Sequence, residues 1–415
     1  MTKRKSWLVA AATAVTTLAM AACGSGGDAG SSNSNLTKSP IVIGMANATT
    51  GPHDAQQAAA NEDVAKAWQK WVNDEKGGIN GHPVEVVFRD TKNDPAASTS
   101  AANQLIDQEK VIAEVGGADS VTAGVWVPIF NQAKVPVIGG QIVDDAILAE
   151  NPYYYPTVAT ITPALPLMMD AAKDSGASAI TGVVCAEAPS CKQAEPVWQA
   201  RAETLGMTWD GLTQVRSADA NYTAACLTIK QAAADFIQVG VNYATATRVV
   251  TDCSKQQLAA PNYGFLFGTF DGKLADLSKK TGANFVGVFG GVPWFMDSPG
   301  AKDFRDAMDG YGKAVPENPI QGDTWNGLEM FRKAMANASD YPTPAEVADS
   351  LSKIKDDDLN GLLPQKVGYS PVGTPQQAAD VHVGHRDPEG RAGQPPSLTA
   401  RRPDGGHADR GQTGR

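Results

Sequence analysis

Cysteine, histidine and aromatic side chains are all scarce here: of 415 residues five are cysteine, five are histidine and 7% are aromatic. No two cysteines stand as a CxxC pair and none has a histidine nearby, so the frame of a structural zinc site is missing. There is no phosphate-cradling glycine loop and no nucleophile elbow with Ser-His-Asp order, which leaves the commonest catalytic motifs without support. Basic residues do not cluster with aromatics, and the net charge is -10. A nucleic acid is therefore excluded as the expected partner. Beyond the first twenty or so residues no apolar run reaches the roughly 20 residues that a membrane span requires.

The exception at the N-terminus is informative. Lys3, Arg4 and Lys5 precede an apolar run from Trp7 to Met20, followed by Ala21 and Ala22. That order reads as an export signal over residues 1–22, too short to serve as a span and expected to be cleaved. Cys23 follows at once, and the junction resembles the lipobox of bacterial lipoproteins, with Met20 where that pattern usually has Leu. The resemblance implies that the Cys23 thiol carries lipid and becomes the new N-terminus. Residues 23–39 are rich in Gly, Ser and Asn and read as a flexible tether.

About 330 residues of ordinary composition follow, more than one core usually organises, so two lobes are expected. Strand-like and helix-like segments alternate. Ile41–Ala46 reads as a strand, and Ala55–Lys76 as a helix placing Val64, Trp68, Trp71 and Val72 on one stripe before Gly77-Gly78 ends it. Val84–Phe88, Val111–Val115 and Val135–Gly139 read as strands, with helices at Pro95–Gln108 and Val121–Gln132. The series continues through Leu165–Lys173, Ile180–Val184, Gln193–Leu205, Ala224–Ala233, Phe236–Gly240, Ala244–Ser254, Gly264–Phe267 and Val286–Phe289. Such alternation specifies parallel sheets covered by helices on both faces, an α/β fold of doubly wound, Rossmann-like lobes. Ligands of such sheets sit beyond the carboxyl ends of the strands.

Four cysteines remain after Cys23 in a compartment where disulfides persist. Cys226 and Cys253 lie in helices on either side of the strand Phe236–Gly240, which a right-handed crossover brings together. Cys185 and Cys191 bound a short loop. The expected pairs are Cys226–Cys253 and Cys185–Cys191, with the connectivity itself left open. From Pro371 onward, 45 residues contain six arginines, no lysine and three of the five histidines. They carry no apolar period. Residues 371–415 therefore read as a disordered tail or as an out-of-frame product, which leaves the last sheet short of an edge strand.

The stretch Gly77-Gly78-Ile79-Asn80-Gly81-His82-Pro83-Val84-Glu85-Val86, with Asp90 and Asp94-Pro95, resembles the amino-terminal lobe of branched-chain amino acid binding proteins, type I periplasmic binding proteins of ABC importers. The likeness runs from about Ile41 to Tyr369, through Gly116-Gly117-Ala118-Asp119-Ser120, Val135-Pro136-Val137-Ile138 and Gly268-Thr269-Phe270-Asp271-Gly272. It implies two lobes joined by a three-strand hinge, one made of residues 40–158 and 291–345, the other of 159–290 and 346–370. A ligand closes between them.

Ser120 stands where relatives contact the ligand carboxylate, and a hydroxyl with free N–H groups at a helix N-terminus suits that use. Gln141 and Val143 stand where relatives supply further contacts to the carboxylate and ammonium, but the family's small and hydroxyl residues are absent there. Asp271 resembles the acid that holds the ligand ammonium. Tyr243 and Trp325 are candidate aromatic walls, and the loop Thr49–His53 is expected to face the cleft. No metal and no cofactor are implied. The resemblance points to a monomeric, lipid-anchored solute-binding protein on the outer face of the cell membrane, delivering a small polar ligand, amino acid or amide-like, to ABC permease subunits. A ligand-sensing lipoprotein without transport is the alternative, and an enzyme finds no support in the motifs.

Overall fold

The computed structural model describes residues 36–51, 55–119, 121–140, 144–186, 192–258, 262–266, 272–289, 295–314, 318–363, 366–377, 382–386 and 392–393. The signal peptide, Cys23 and most of the tether lie outside these residues, as do Cys191 and His53.

Five strands, β1 (Ile41–Asn47), β2 (Val84–Asp90), β3 (Glu114–Val115), β4 (Val137–Ile138) and β5 (Tyr154–Tyr155), form the first sheet, all parallel, in the order β2-β1-β3-β4-β5. They are linked by α1 (Ala55–Glu75), α2 (Pro95–Asn103) with a π-helical turn at Gln104–Gln108, α3 (Ala123–Gln132) and α4 (Asp145–Glu150). After α5 (Ile161–Asp174) the chain builds a second sheet. It runs through β6 (Ala179–Cys185), α6 (Glu195–Thr204), β7 (Thr208–Val215), α7 (Thr223–Gln231), β8 (Phe236–Gly240), α8 (Tyr243–Lys255), β9 (Asn262–Leu266), α9 (Leu274–Thr281) and β10 (Asn284–Phe289). The parallel order is β7-β6-β8-β9-β10, the same winding as the first sheet. Then α10 (Pro299–Tyr311), α11 (Pro319–Ala334) and α12 (Pro344–Ser352) follow, before β11 (His382–Arg386) and β12 (Ala392–Gly393).

The central strands of both sheets are buried on both faces, as parallel strands covered by helices on both sides demand. Six of the seven residues of β1 are buried. The predicted stripe of α1 is buried as well, Val64, Trp68 and Val72 completely and Trp71 to 2% exposure, against α10 and α11. Four helices open with a side-chain cap followed by proline: Asp94-Pro95, Ser298-Pro299, Asn318-Pro319 and Thr343-Pro344. The cap accepts an otherwise unpaired N–H, and proline has none to lose. Sequence reading passes over β7 because this edge strand alternates exposed and half-buried residues rather than forming an apolar run.

Cys226 and Cys253 form a disulfide between α7 and α8, both fully buried, with Cα atoms 4.9 Å apart. This is the expected pair. Cys185 is also disulfide-bonded.

The chain crosses between the sheets three times: after β5, after β10, and between Tyr369 and β11. All three crossings lie at carboxyl ends, since β11 begins with His382 opposite Phe289, the last residue of β10. The two carboxyl edges therefore share the hinge side. The first and third crossings touch: the Tyr369 hydroxyl donates to the Pro156 carbonyl at 3.1 Å, and the Tyr155 and Tyr369 rings meet edge to face with centroids 5.2 Å apart.

Two expectations need correction. Residues 346–370 pack on the first lobe rather than the second: α12 lies on α11, the Gly300 N–H donates to the Asn360 carbonyl at 3.1 Å, and Lys333 pairs with Asp357. The apolar stripe Val347, Ala348 and Leu351 is what α11 covers. The second sheet also does not end bare. β11 pairs antiparallel with β10 over five residues and β12 with β11, although residues 371–415 lack any strand-like period. Ladder hydrogen bonds are made by the backbone, so pairing at an edge asks little of side-chain pattern.

Candidate functional site

A 2-1-3-4-5 strand order reverses direction between its first and third strands, and there the loops part to leave a crevice. In the first lobe this switch point lies beyond β1 and β3; in the second, beyond β6 and β8. The residues that follow those strands are the candidates.

Asn47 closes β1 and is fully buried. Its Nδ2 donates to the Ala58 carbonyl at 2.7 Å, and its Oδ1 accepts from the Ala118 N–H at 3.2 Å, tying β1, α1 and the loop after β3 together. Thr49 donates to the Glu62 carboxylate. Asp90, which closes β2, accepts from the Thr50 N–H at 3.3 Å, from the Thr50 hydroxyl and from the Lys92 N–H at 3.0 Å. Partial burial works against ionisation of Asp90, but these hydrogen bonds and the Lys92 charge outweigh it and hold the carboxyl below its ordinary value.

Asp119, fully buried in the loop after β3, accepts from the N–H groups of Val121 and Thr122 at 3.1 and 3.0 Å, from the Thr122 hydroxyl, and from Asn93 Nδ2 at 2.9 Å. Thr122 is also bonded to Ser98 at 2.6 Å. Sequence reading offers the N–H groups at the start of α3 to a ligand carboxylate; the Val121 and Thr122 N–H groups just ahead of that helix already belong to Asp119, whose carboxylate sits beside the favourable end of the helix.

Beneath this loop lies Glu114, fully buried in β3, whose Oε1 accepts from the Ala46 N–H at 3.2 Å and which also receives the Gly117 N–H. Burial pushes its carboxyl up to about 8 despite those two hydrogen bonds. The loops after β3 and β4 are in backbone contact. A Cβ on Gly117 would lie 2.4 Å from Glu114 Oε1, and one on Gly139, at φ +64°, would lie 2.7 Å from the Gly327 Cα of α11. Thr324 locks the same junction by donating to the Gly116 carbonyl at 3.0 Å.

In the second lobe Asn242 caps α8, its Oδ1 accepting from the Thr245 N–H at 2.9 Å, and Tyr243 opens that helix directly after β8, half-buried. It stands at the switch point where sequence reading expects it. Trp325 does not serve as a cleft wall. It is fully buried on α11 between Trp71 and Phe304, each with ring centroids 5.3 Å away, and belongs to the core of the first lobe. Ser120, Gln141, Val143 and Asp271 lie outside the described residues. Sequence reading missed Asn47, Glu114 and Asp119. The signal for Glu114 was present: an acid inside the apolar run Val111–Val115, directly before Gly116-Gly117.

Among the described residues no helix is long and apolar enough to cross a membrane, and no group of three His, Cys, Asp or Glu could hold a metal ion.

Two similarly wound lobes, with polar loops gathered at the switch points and three crossings on the same side, define a two-lobed solute-binding architecture. The sequence profile of the periplasmic binding protein family matches residues 40–381, and the chain belongs to that family. The family is one of extracytoplasmic binding proteins rather than enzymes. An amino acid binding protein of Pseudomonas aeruginosa is 36% identical over 100 residues, 24% of this chain and 26% of that protein. The chain thus matches about a quarter of the length of that curated relative. A branched-chain amino acid ABC transporter protein from Thermus thermophilus with bound valine superposes with a TM-score of 0.69 at 17% identity, covering 85% of this chain and 94% of the other. A solute binding protein of an ABC transporter from R. palustris, in complex with 4-hydroxybenzoate, gives 0.69 at 19% identity, covering 85% and 95%.

Proposed function

We propose that the chain is an extracytoplasmic lipoprotein of an ABC importer, anchored through Cys23, that captures a small polar ligand between its lobes and delivers it to membrane permease subunits. Ser120, Gln141 and Val143 contact the ligand from the first lobe, and Tyr243 and Asp271 from the second. Residues 36–40 support the anchor reading, because they join the amino end of β1, a strand's length of roughly 23 Å from the switch point. A tether there leaves the cleft open.

The observation that carries the ligand class is Asp119. In a carboxylate site the helix N-terminus offers its N–H groups and dipole to the ligand. Here a side-chain carboxylate already stands just ahead of that terminus, held by the Val121 and Thr122 N–H groups, and a second anion beside it would be repelled. An amide-like ligand, neutral and able to donate as well as accept, fits better than a zwitterionic amino acid.

The test is calorimetry of the soluble body, residues 24–415, against urea, acetamide, L-leucine, L-valine and 4-hydroxybenzoate. Amides are expected to bind with a Kd at least about tenfold below that of the acids, the effect of roughly one unfavourable charge contact. Tighter binding of L-leucine or 4-hydroxybenzoate than of either amide would overturn the ligand class. For the anchor, Cys23→Ser should move the full chain from the detergent phase to the aqueous phase; retention with the membrane fraction would place the anchor elsewhere.

A further inference from the structure

We propose that Glu114 is a positioning residue for ligand capture: its single buried side chain sets the loops after β3 and β4, the two that the reading above places against the ligand in the first lobe. The inference rests on that reading for its functional meaning, and on geometry for the rest.

Glu114 is wholly buried; its Oε1 accepts from the Ala46 N–H at the end of β1 at 3.2 Å, and the carboxyl also receives the Gly117 N–H of the loop after β3, whose backbone lies so close that a Cβ there would be 2.4 Å from Oε1. Gly117 in turn supports Gly140, since a Cβ on Gly140 would meet the Gly117 carbonyl oxygen at 2.5 Å and its nitrogen at 3.0 Å. The order of contact is therefore Glu114 to Gly117 to Gly140, with Ser120 three residues beyond Gly117 and Gln141 directly after Gly140. Glu114 Oε2 has no hydrogen-bond partner among the described residues. A proton on the carboxyl makes this tolerable; a charge there does not, because an uncompensated buried carboxylate costs far more than a neutral acid.

The titratable groups around this junction are few. Tyr154 of β5 lies within electrostatic reach of both Glu114 and Asp323 of α11, while β1 and β4 contribute no charged side chain. Neither Tyr154 nor Asp323 can offer Glu114 a cation, since each is neutral or negative at any pH, and burial makes both harder to ionise than usual. When Glu114 ionises, its charge can be relieved only by water entering beneath Gly117. That loosens the two loops together.

The experiment is amide hydrogen exchange of the soluble body, read at Gly117 and Gly140 and expressed as protection factors, from about pH 6 to about pH 9. Calorimetry with acetamide and urea runs alongside. In the unmodified chain, protection at both glycines should fall by up to about tenfold per pH unit as pH rises from about 6 toward 8 and level off above that, because opening lets Glu114 ionise near its ordinary value. Acetamide affinity should fall with it. Glu114→Gln keeps an acceptor for Ala46 and Gly117 but cannot ionise, so this loss with pH should vanish. Glu114→Leu should lose protection at every pH. If Glu114→Gln shows the same loss with pH, or Glu114→Leu folds and leaves both glycines protected, Glu114 does not position these loops. Should Glu114→Leu fail to fold, the pH profile of Glu114→Gln decides alone. Failure of acetamide and urea to bind the unmodified chain would sink the functional reading, while the exchange data still decide the role of Glu114.

Discussion

Glu114 and Trp325 are both fully buried, and residue type alone misjudges each. An acid suggests surface and an aromatic near a family site suggests a wall, but the surroundings decide. Glu114 has a measurable thermodynamic signature. Its folded value of about 8 lies above the ordinary 4.5, so the stability it contributes is whole below about pH 4.5 and is lost as pH climbs to about 8. Over that interval each pH unit costs the folded state up to about 1.4 kcal/mol. Urea unfolding of Glu114→Gln should therefore show a midpoint that gains on the unmodified chain from pH 5 to pH 8 and then stays level. A constant difference between the two across that range would mean that Glu114 ionises normally. At this scale the legible residues are those whose role is local, such as the caps Asp94, Ser298, Asn318 and Thr343, because each needs only the N–H a few positions ahead. Asp119 was not legible as the carboxylate beside its helix end, since Asn93, which completes its set of partners, comes from another loop.

At the scale of elements, α11 shows what a periodic pattern conceals. Every residue from Pro319 to Phe331 is buried, including Gln321, Asp323, Thr324, Asn326 and Glu329, so no amphipathic stripe marks it. Its polar groups belong to particular neighbours: Gln321 Nε2 donates to Asn61 at 2.9 Å, and the Trp68 indole donates to Glu329 at 2.8 Å. The helix approaches the loop after β4 closely enough that backbone meets backbone at Gly139 and Gly327. Gly139→Ala combines a left-handed φ with overpacking and should cost about 2–4 kcal/mol. In urea the midpoint should fall with the slope unchanged. An unaltered midpoint would show that α11 yields without penalty. Most of the strands and connecting helices are, by contrast, readable one by one, because alternating apolar runs and turn signals recur within short windows.

For the whole molecule, the carboxy-terminal residues carry the sharpest contrast. Composition separates residues 371–415 from the body, and an out-of-frame origin stays our proposal for them, to be checked on the coding DNA: other frames without an apolar strand would end it. The fold nevertheless uses part of the segment. Gln376, 5% exposed, accepts from the Ser370 N–H at 2.7 Å, and β11 covers the edge of β10. A disordered tail could be removed at little cost, but with β10 uncovered its backbone groups lose their partners and invite association. The truncated chain should melt at least about 5 °C lower and scatter more light on heating. Equal melting and a monodisperse truncated chain would mean that β11 contributes nothing.

The sequence by itself determined the two-lobed α/β class, most of the strands and helices up to β10, with β5 and β7 passed over, and the Cys226–Cys253 bridge, since all of these follow from local period, spacing or composition. Only the tertiary structure decided that α12 completes the first lobe, that Trp325 is core, that Asp119 holds the start of α3 and that Glu114 underlies two loops. Those facts depend on which distant segments meet. Burial, which sets the cost of a charge and the value of a hydrogen bond, is a property of that meeting rather than of any stretch of chain.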